Sequence, residues 1–121
     1  MWSRTVQTPV LLGQAVIRSG VDGYVIPAVD GTQPTFPVFS ERPDVGTTIA
    51  AGYTVAICTD TEDREIYIPC GNTVTEFNYL MSDANGNWIP ATSGNYIGAQ
   101  ALQSGVTGDV IKARPAQFKL P

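Results

Sequence analysis

Ser19-Gly20-Val21-Asp22-Gly23-Tyr24-Val25-Ile26-Pro27-Ala28-Val29-Asp30-Gly31 and Ser82-Asp83-Ala84-Asn85-Gly86-Asn87-Trp88-Ile89-Pro90-Ala91-Thr92-Ser93-Gly94 share one pattern, S-x-x-[DN]-G-x-x-I-P-A-x-x-G, at an offset of 63 residues. Asp22-Gly23 and Asn85-Gly86 supply turn residues that tolerate a positive φ, as a tight hairpin requires. Ile-Pro-Ala then ends the returning strand, since proline cannot donate to a ladder, and the next glycine turns the chain again. Each copy reads as strand, turn and returning strand. At the same offset Ile17 aligns with Leu80, and Val38-Phe39 with Ala101-Leu102. Seven fixed or near-fixed positions favour a duplicated β-unit over two independent hairpins with ordinary turn chemistry.

Outside these copies the same texture continues. Glycine and proline (12 and 9 of 121 residues) are spread throughout, and no dozen-residue window free of them carries helical periodicity. Short β-branched and aromatic runs predict strands near 14–18, 23–28, 35–39, 53–58, 64–69, 73–81, 87–91, 96–102 and 109–114. Glu65-Ile66-Tyr67-Ile68 alternates as a half-buried strand does. Prolines 27, 37, 69 and 90 are expected at strand ends or edges. The fold class is all-β, a sandwich or small barrel of short antiparallel strands. One domain is expected over 13–114, with 1–12 as an N-terminal arm or first strand and 115–121 as a C-terminal extension.

Composition narrows the function. The chain carries 15% charged residues, below the ~25% typical of soluble domains, which suits either a surface packed against other proteins or a sparsely charged β-domain. Net charge is −4, so phosphate is repelled and neither nucleic acid nor an anionic membrane is an expected partner. No apolar run approaches the ~18 residues of a membrane-spanning helix, and Met1-Trp2-Ser3-Arg4 lacks a signal peptide's apolar region. Synthesis in a cytoplasm is expected.

Chemistry is sparse. There is no histidine, which removes Ser-His-Asp and Cys-His nucleophiles. Cys58 and Cys70 cannot make a Cys₄ zinc site, and no phosphate-binding glycine motif is present. The two cysteines flank a stretch read as a hairpin turning at Thr61 to Asp63. Symmetric pairing there sets Cys58 against Glu65 or Ile66, so buried free thiols are expected rather than a disulfide. Asp60-Thr61-Glu62-Asp63-Arg64-Glu65 lacks EF-hand spacing and reads as a solvated hairpin tip. Tyr24, Trp88 and Tyr96 lie beside turns, where a sugar-stacking platform competes with a packing role. Trp88 takes the place of Val25 in the repeat, which favours packing. No catalytic residue, cofactor or metal is expected, and the chain reads as a non-enzyme.

Both ends carry apolar residues among polar ones. Trp2, Val6 and Val10 at the start, and Phe118 and Leu120 at the end, are the expected partner contacts, because large apolar side chains at free termini make good anchors.

Asn78-Tyr79-Leu80-Met81-Ser82-Asp83-Ala84-Asn85-Gly86-Asn87-Trp88-Ile89-Pro90-Ala91 resembles a recurrent segment of the capsid cement, or head decoration, proteins of tailed bacteriophages. The resemblance continues through Gly98-Ala99-Gln100-Ala101-Leu102, a small-residue linker at 103–107, and Gly108-Asp109-Val110-Ile111-Lys112-Ala113-Arg114. It covers about residues 72–114. Gln100 departs from the pattern by lengthening the "gly-x-ala-leu" run by one residue. The resemblance implies a β-barrel or β-tulip-like domain in the virion, on the outer surface of the mature head. It further implies a homotrimer at three-fold and quasi-three-fold positions that clamps neighbouring copies of the major capsid protein. The rival readings are a carbohydrate-binding adhesin module and a tail or baseplate structural protein.

Overall fold

A computed structural model describes residues 1–121. Its strands are β1 (Trp2–Val6), β2 (Val10–Leu11), β3 (Ala15–Arg18), β4 (Tyr24–Pro27), β5 (Thr35–Pro37), β6 (Thr48–Ile49), β7 (Thr54–Ile57), β8 (Ile66–Pro69), β9 (Tyr79–Ser82), β10 (Trp88–Pro90), β11 (Tyr96–Ala101) and β12 (Val110–Lys119), with one 3₁₀ turn at Arg42–Asp44. They form two five-stranded sheets, ordered β5-β3-β4-β1-β7 and β10-β9-β11-β12-β8, and a small β2-β6 ribbon. The fold is all-β, as the glycine and proline spacing predicts.

Each sheet curls until its edges meet. Val38, just past β5, bridges Ile57 at the end of β7. Phe39 N–H donates to Ala56 O at 2.8 Å there, and Cys58 N–H to Pro37 O at 3.0 Å. In the second sheet Cys70 bridges Trp88, and Gly71 N–H donates to Trp88 O at 2.8 Å. Closure satisfies backbone groups that an open edge would leave unpaired. The first barrel is filled by Val6, Val10, Val16, Val25, Val38, Val55 and Ile57. The larger core packs Ile66, Ile68, Leu80, Trp88 and Ile111 with Ala15, Ala28 and Cys58 from the first half, which thus helps to fill the second barrel.

The repeat is real but shifted. β3 pairs β4 through Arg18↔Val25, Ile17↔Ile26 and Val16↔Pro27, while β9 pairs β10 through Ser82↔Trp88, Met81↔Ile89 and Leu80↔Pro90. Val16, not Ile17, is therefore the counterpart of Leu80. The third strands agree, with Val16↔Phe36 and Leu80↔Ala99. The cause lies in the turns. Asp83 Oδ1 accepts the N–H groups of Asn85 (2.8 Å) and Asn87 (2.9 Å) and closes its loop tightly. The aligned residue is Gly20, which has no side chain. Ser19 Oγ takes over one residue earlier, accepting Val21 N–H at 2.9 Å, and the first turn is one residue longer. Beyond this three-stranded unit the halves diverge: the first sheet continues from β4 through the parallel strand β1, the second from β11 through β12.

Other expectations need correction. Of the two readings of residues 1–12, arm or first strand, the strand holds for residues 2–6: β1 lies between β4 and β7, paired to both. The stretch 58–65 is no hairpin, because β7 belongs to the first sheet and β8 pairs β12 in the second. Its Thr59–Glu62 turn (Glu62 N to Thr59 O, 3.2 Å) is a crossover; polar turn residues signal a bend without naming the strand's next partner. Of the expected 73–81 strand only residues 79–81 are extended, as part of Tyr79–Ser82. Residues 115–119 continue β12 through Pro115, and a bulge between Ile97 and Ala99 of β11 absorbs the irregularity.

Candidate functional site

Pro27, Pro37, Pro69 and Pro90 end their strands, where no ladder donor is needed, and Pro115 alone sits within one, opposite the bulge of β11. Six aromatics are exposed, and apart from Tyr53 they lie in two places.

At the rim of the first barrel, Trp2 and Phe36 meet at 5.9 Å between ring centroids, and the Arg4 guanidinium lies 5.0 Å over Trp2. With Arg18, Asp22 and Tyr24 they line a groove of about 450 Å³. Trp2 is half exposed.

The second place is the outer face of the second sheet. Tyr79 and Phe118 form an edge-to-face pair, 5.0 Å between centroids at 84°, both about two-fifths exposed. Two residues before Tyr79, Phe77 is 60% exposed and has φ of 72°, the one non-glycine residue with positive φ. Its turn is fixed by Asn78 N–H to Thr75 O (3.0 Å), Thr75 N–H to Asn78 Oδ1 (2.9 Å) and Phe77 N–H to Ala101 O (2.9 Å). Gln100 Nε2 donates to Phe77 O at 3.1 Å, while Gln100 Oε1 accepts from Arg114 Nε at 2.9 Å.

Between these surfaces runs the acidic crossover. Asp60, Glu62 and Asp63 face Arg114 and Phe118 across a groove of about 350 Å³. The amino group of Met1 and, at 4.0 Å, Arg64 pair with Glu62. Cys58 and Cys70 are free and buried, and burial pushes both thiols up to about 11.

The expected contact residues divide. Trp2 and Phe118 are exposed, and Leu120 is half-buried, its backbone paired with Asn95 and Gly94. Val6 and Val10 are 0% and 1% exposed and belong to the first barrel's core, so they are not surface contacts. Alternation puts Trp2, Arg4 and Val6 on one face of β1, with Trp2 at its rim end and Val6 inside the barrel. Trp88 has no exposed surface and cannot belong to a sugar platform. Both turns accept a backbone bond, Thr5 N–H to Gly23 O (3.0 Å) and Ala15 N–H to Gly86 O (2.8 Å), but only Asn85-Gly86 is also gripped by a side chain, Gln14 Nε2 donating to Asn85 O (3.1 Å). Phe77, Tyr79 and Arg114 went unremarked in the sequence as surface groups. An aromatic inside the polar run Thr75-Glu76-Phe77-Asn78 is the signal that marks the site.

No family model and no curated protein matches the chain. Among solved structures, it is similar to the N base of head fiber gp8.5 in bacteriophage phi29, at 13% sequence identity with a TM-score of 0.65. The similarity covers 99% of this chain and 96% of that one. At that identity the likeness is one of fold.

Proposed function

We propose that the chain is a structural protein of a tailed-phage head, which binds the outer surface of the mature shell and clamps neighbouring major capsid subunits. The observation that carries this is the fold shared end to end with the base of a phage head fiber. The order of hairpin motifs over residues 72–114 supports the same reading independently, as does the exposure of large aromatics on a chain with few charges. The protein acts as a homotrimer without catalysis. A protein that binds the expanded lattice but not its precursor stabilises that lattice by mass action, and each trimer multiplies modest contacts through multivalency.

The test is co-sedimentation of the purified protein with expanded heads and with unexpanded precursor shells of the phage that encodes it, alongside its mass by size exclusion with light scattering. Saturable binding to expanded heads and a trimer mass are expected. A monomer that stays in the supernatant with both shells overturns the proposal.

A further inference from the structure

Phe77 combines two costs that the fold does not offset. A bulky side chain at positive φ is a conformational outlier, and a ring left 60% in water recovers little by packing. Glycine or asparagine would serve the Thr75–Asn78 turn better. Strained residues of this kind cluster where a surface is used. The neighbours agree: Tyr79 and Phe118 hold each other edge to face while staying exposed.

Arg114 adds the specific element. Gln100 takes its Nε, which holds the guanidinium, and Arg114 shares the lining of one groove with Phe118. The terminal nitrogens have no partner: the ion pairs of the molecule are Met1–Glu62, Arg64–Glu62 and Lys112–Glu65, and Asp60 and Asp63 line the adjoining groove without reaching Arg114. A positioned guanidinium with two free N–H edges matches a carboxylate. The single glutamine thus orders both the Phe77 backbone and Arg114. Aromatic anchors around an arginine are the composition of an interface hot spot, and their place on the outside of a sheet suits a folded surface rather than a peptide.

We propose that Phe77, Tyr79, Phe118 and Arg114 form the docking surface for a folded protein that offers a carboxylate beside an apolar spot, and that this partner is the major capsid protein of the shell. The identity of the partner rests on the reading above; the surface is argued from its own geometry. The test compares expanded-head binding by the intact chain, Phe77→Gly, Phe118→Ser, Arg114→Glu and, as a control, Tyr53→Ser on the opposite half, each checked for cooperative unfolding at a midpoint no lower than that of the intact chain. Phe77→Gly removes the ring while relieving the backbone, so it separates contact from folding. At least tenfold weaker binding by the three surface variants, with Tyr53→Ser unchanged, is expected. If the intact chain binds heads and the surface variants bind equally well, this surface is wrong while the head-binding reading stands. If the intact chain ignores heads, both fall. If the variants lose only trimer mass, the surface joins copies of this chain and the proposal is overturned.

Discussion

The indole N–H of Trp88 donates to the carbonyl of Gly13 at 2.9 Å, across 75 positions of sequence, and so ties the second barrel's core to the first. The ring is wholly buried, and a methyl group at Gly98 would lie 2.6 Å from it. Trp88→Phe leaves the Gly13 carbonyl buried without a donor, a loss of about 1–3 kcal/mol. Trp88→Ala loses about 3–5 kcal/mol by opening a cavity. Urea unfolding curves rank the two, and Gly98→Ala is expected to destabilise through collision with the same ring.

Gly23 and Gly86 occupy one position of the repeat and share a positive φ, 80° and 76°, yet their surroundings differ. A Cβ at Gly23 meets nothing within 4 Å, whereas one at Gly86 stands 2.5 Å from the Gln14 side chain. Both alanine variants incur the left-handed backbone penalty of about 1–2 kcal/mol. Only Gly86→Ala also displaces Gln14 and its bond to Asn85. It is expected to be the more destabilising by thermal unfolding, and equal losses would contradict the docked geometry.

The turn chemistry was legible because Asp-Gly and Asn-Gly act locally: both hairpins form where the repeat puts them. Pairing beyond the hairpin was not. Residues 58–65 bend as a hairpin tip would, but β8 finds β12 more than forty residues on, and no local signal carries that choice. Ser19 and Ser82 match in sequence yet are not equivalent, because the register depends on whether position 20 or 83 bears a carboxylate. The terminal contacts were half legible. Trp2 and Val6 share the strand β1, and only pairing on both sides decides that one is rim and the other core.

Deleting residues 1–6 therefore removes a central strand, not a tether. β4 and β7 lose their shared neighbour, and Val6 leaves the first core. The truncated chain is expected to lose cooperative unfolding and near-ultraviolet circular dichroism. A truncation that unfolds like the intact protein would contradict the placement of β1.

Cys58 and Cys70 keep their protons longer when folded, since burial raises both to about 11 from an ordinary 9.0. Between those values the native state binds more protons than the unfolded chain. Stability is thus level below about pH 9 and falls as pH rises toward 11. The Cys58→Ala, Cys70→Ala double variant is expected to lose this part of the alkaline slope in urea titrations. In the intact chain, both thiols should resist a thiol reagent at pH 8 and react on unfolding.

Phe77→Gly is expected to stabilise the protein, in contrast to most changes of a large residue. The left-handed conformation costs a residue with a Cβ about 1–2 kcal/mol, and glycine returns about 0.5–1 kcal/mol of that as unfolded-chain entropy. The net gain is about 0.5–1 kcal/mol, because the mostly exposed ring contributes little burial. Phe77→Ala keeps the Cβ at φ 72° and gains nothing. A rise in the urea midpoint for glycine but not for alanine identifies the backbone as the source of the strain. Equal midpoints for all three chains would mean that the turn relaxes at no cost, and the strain would no longer argue for a used surface.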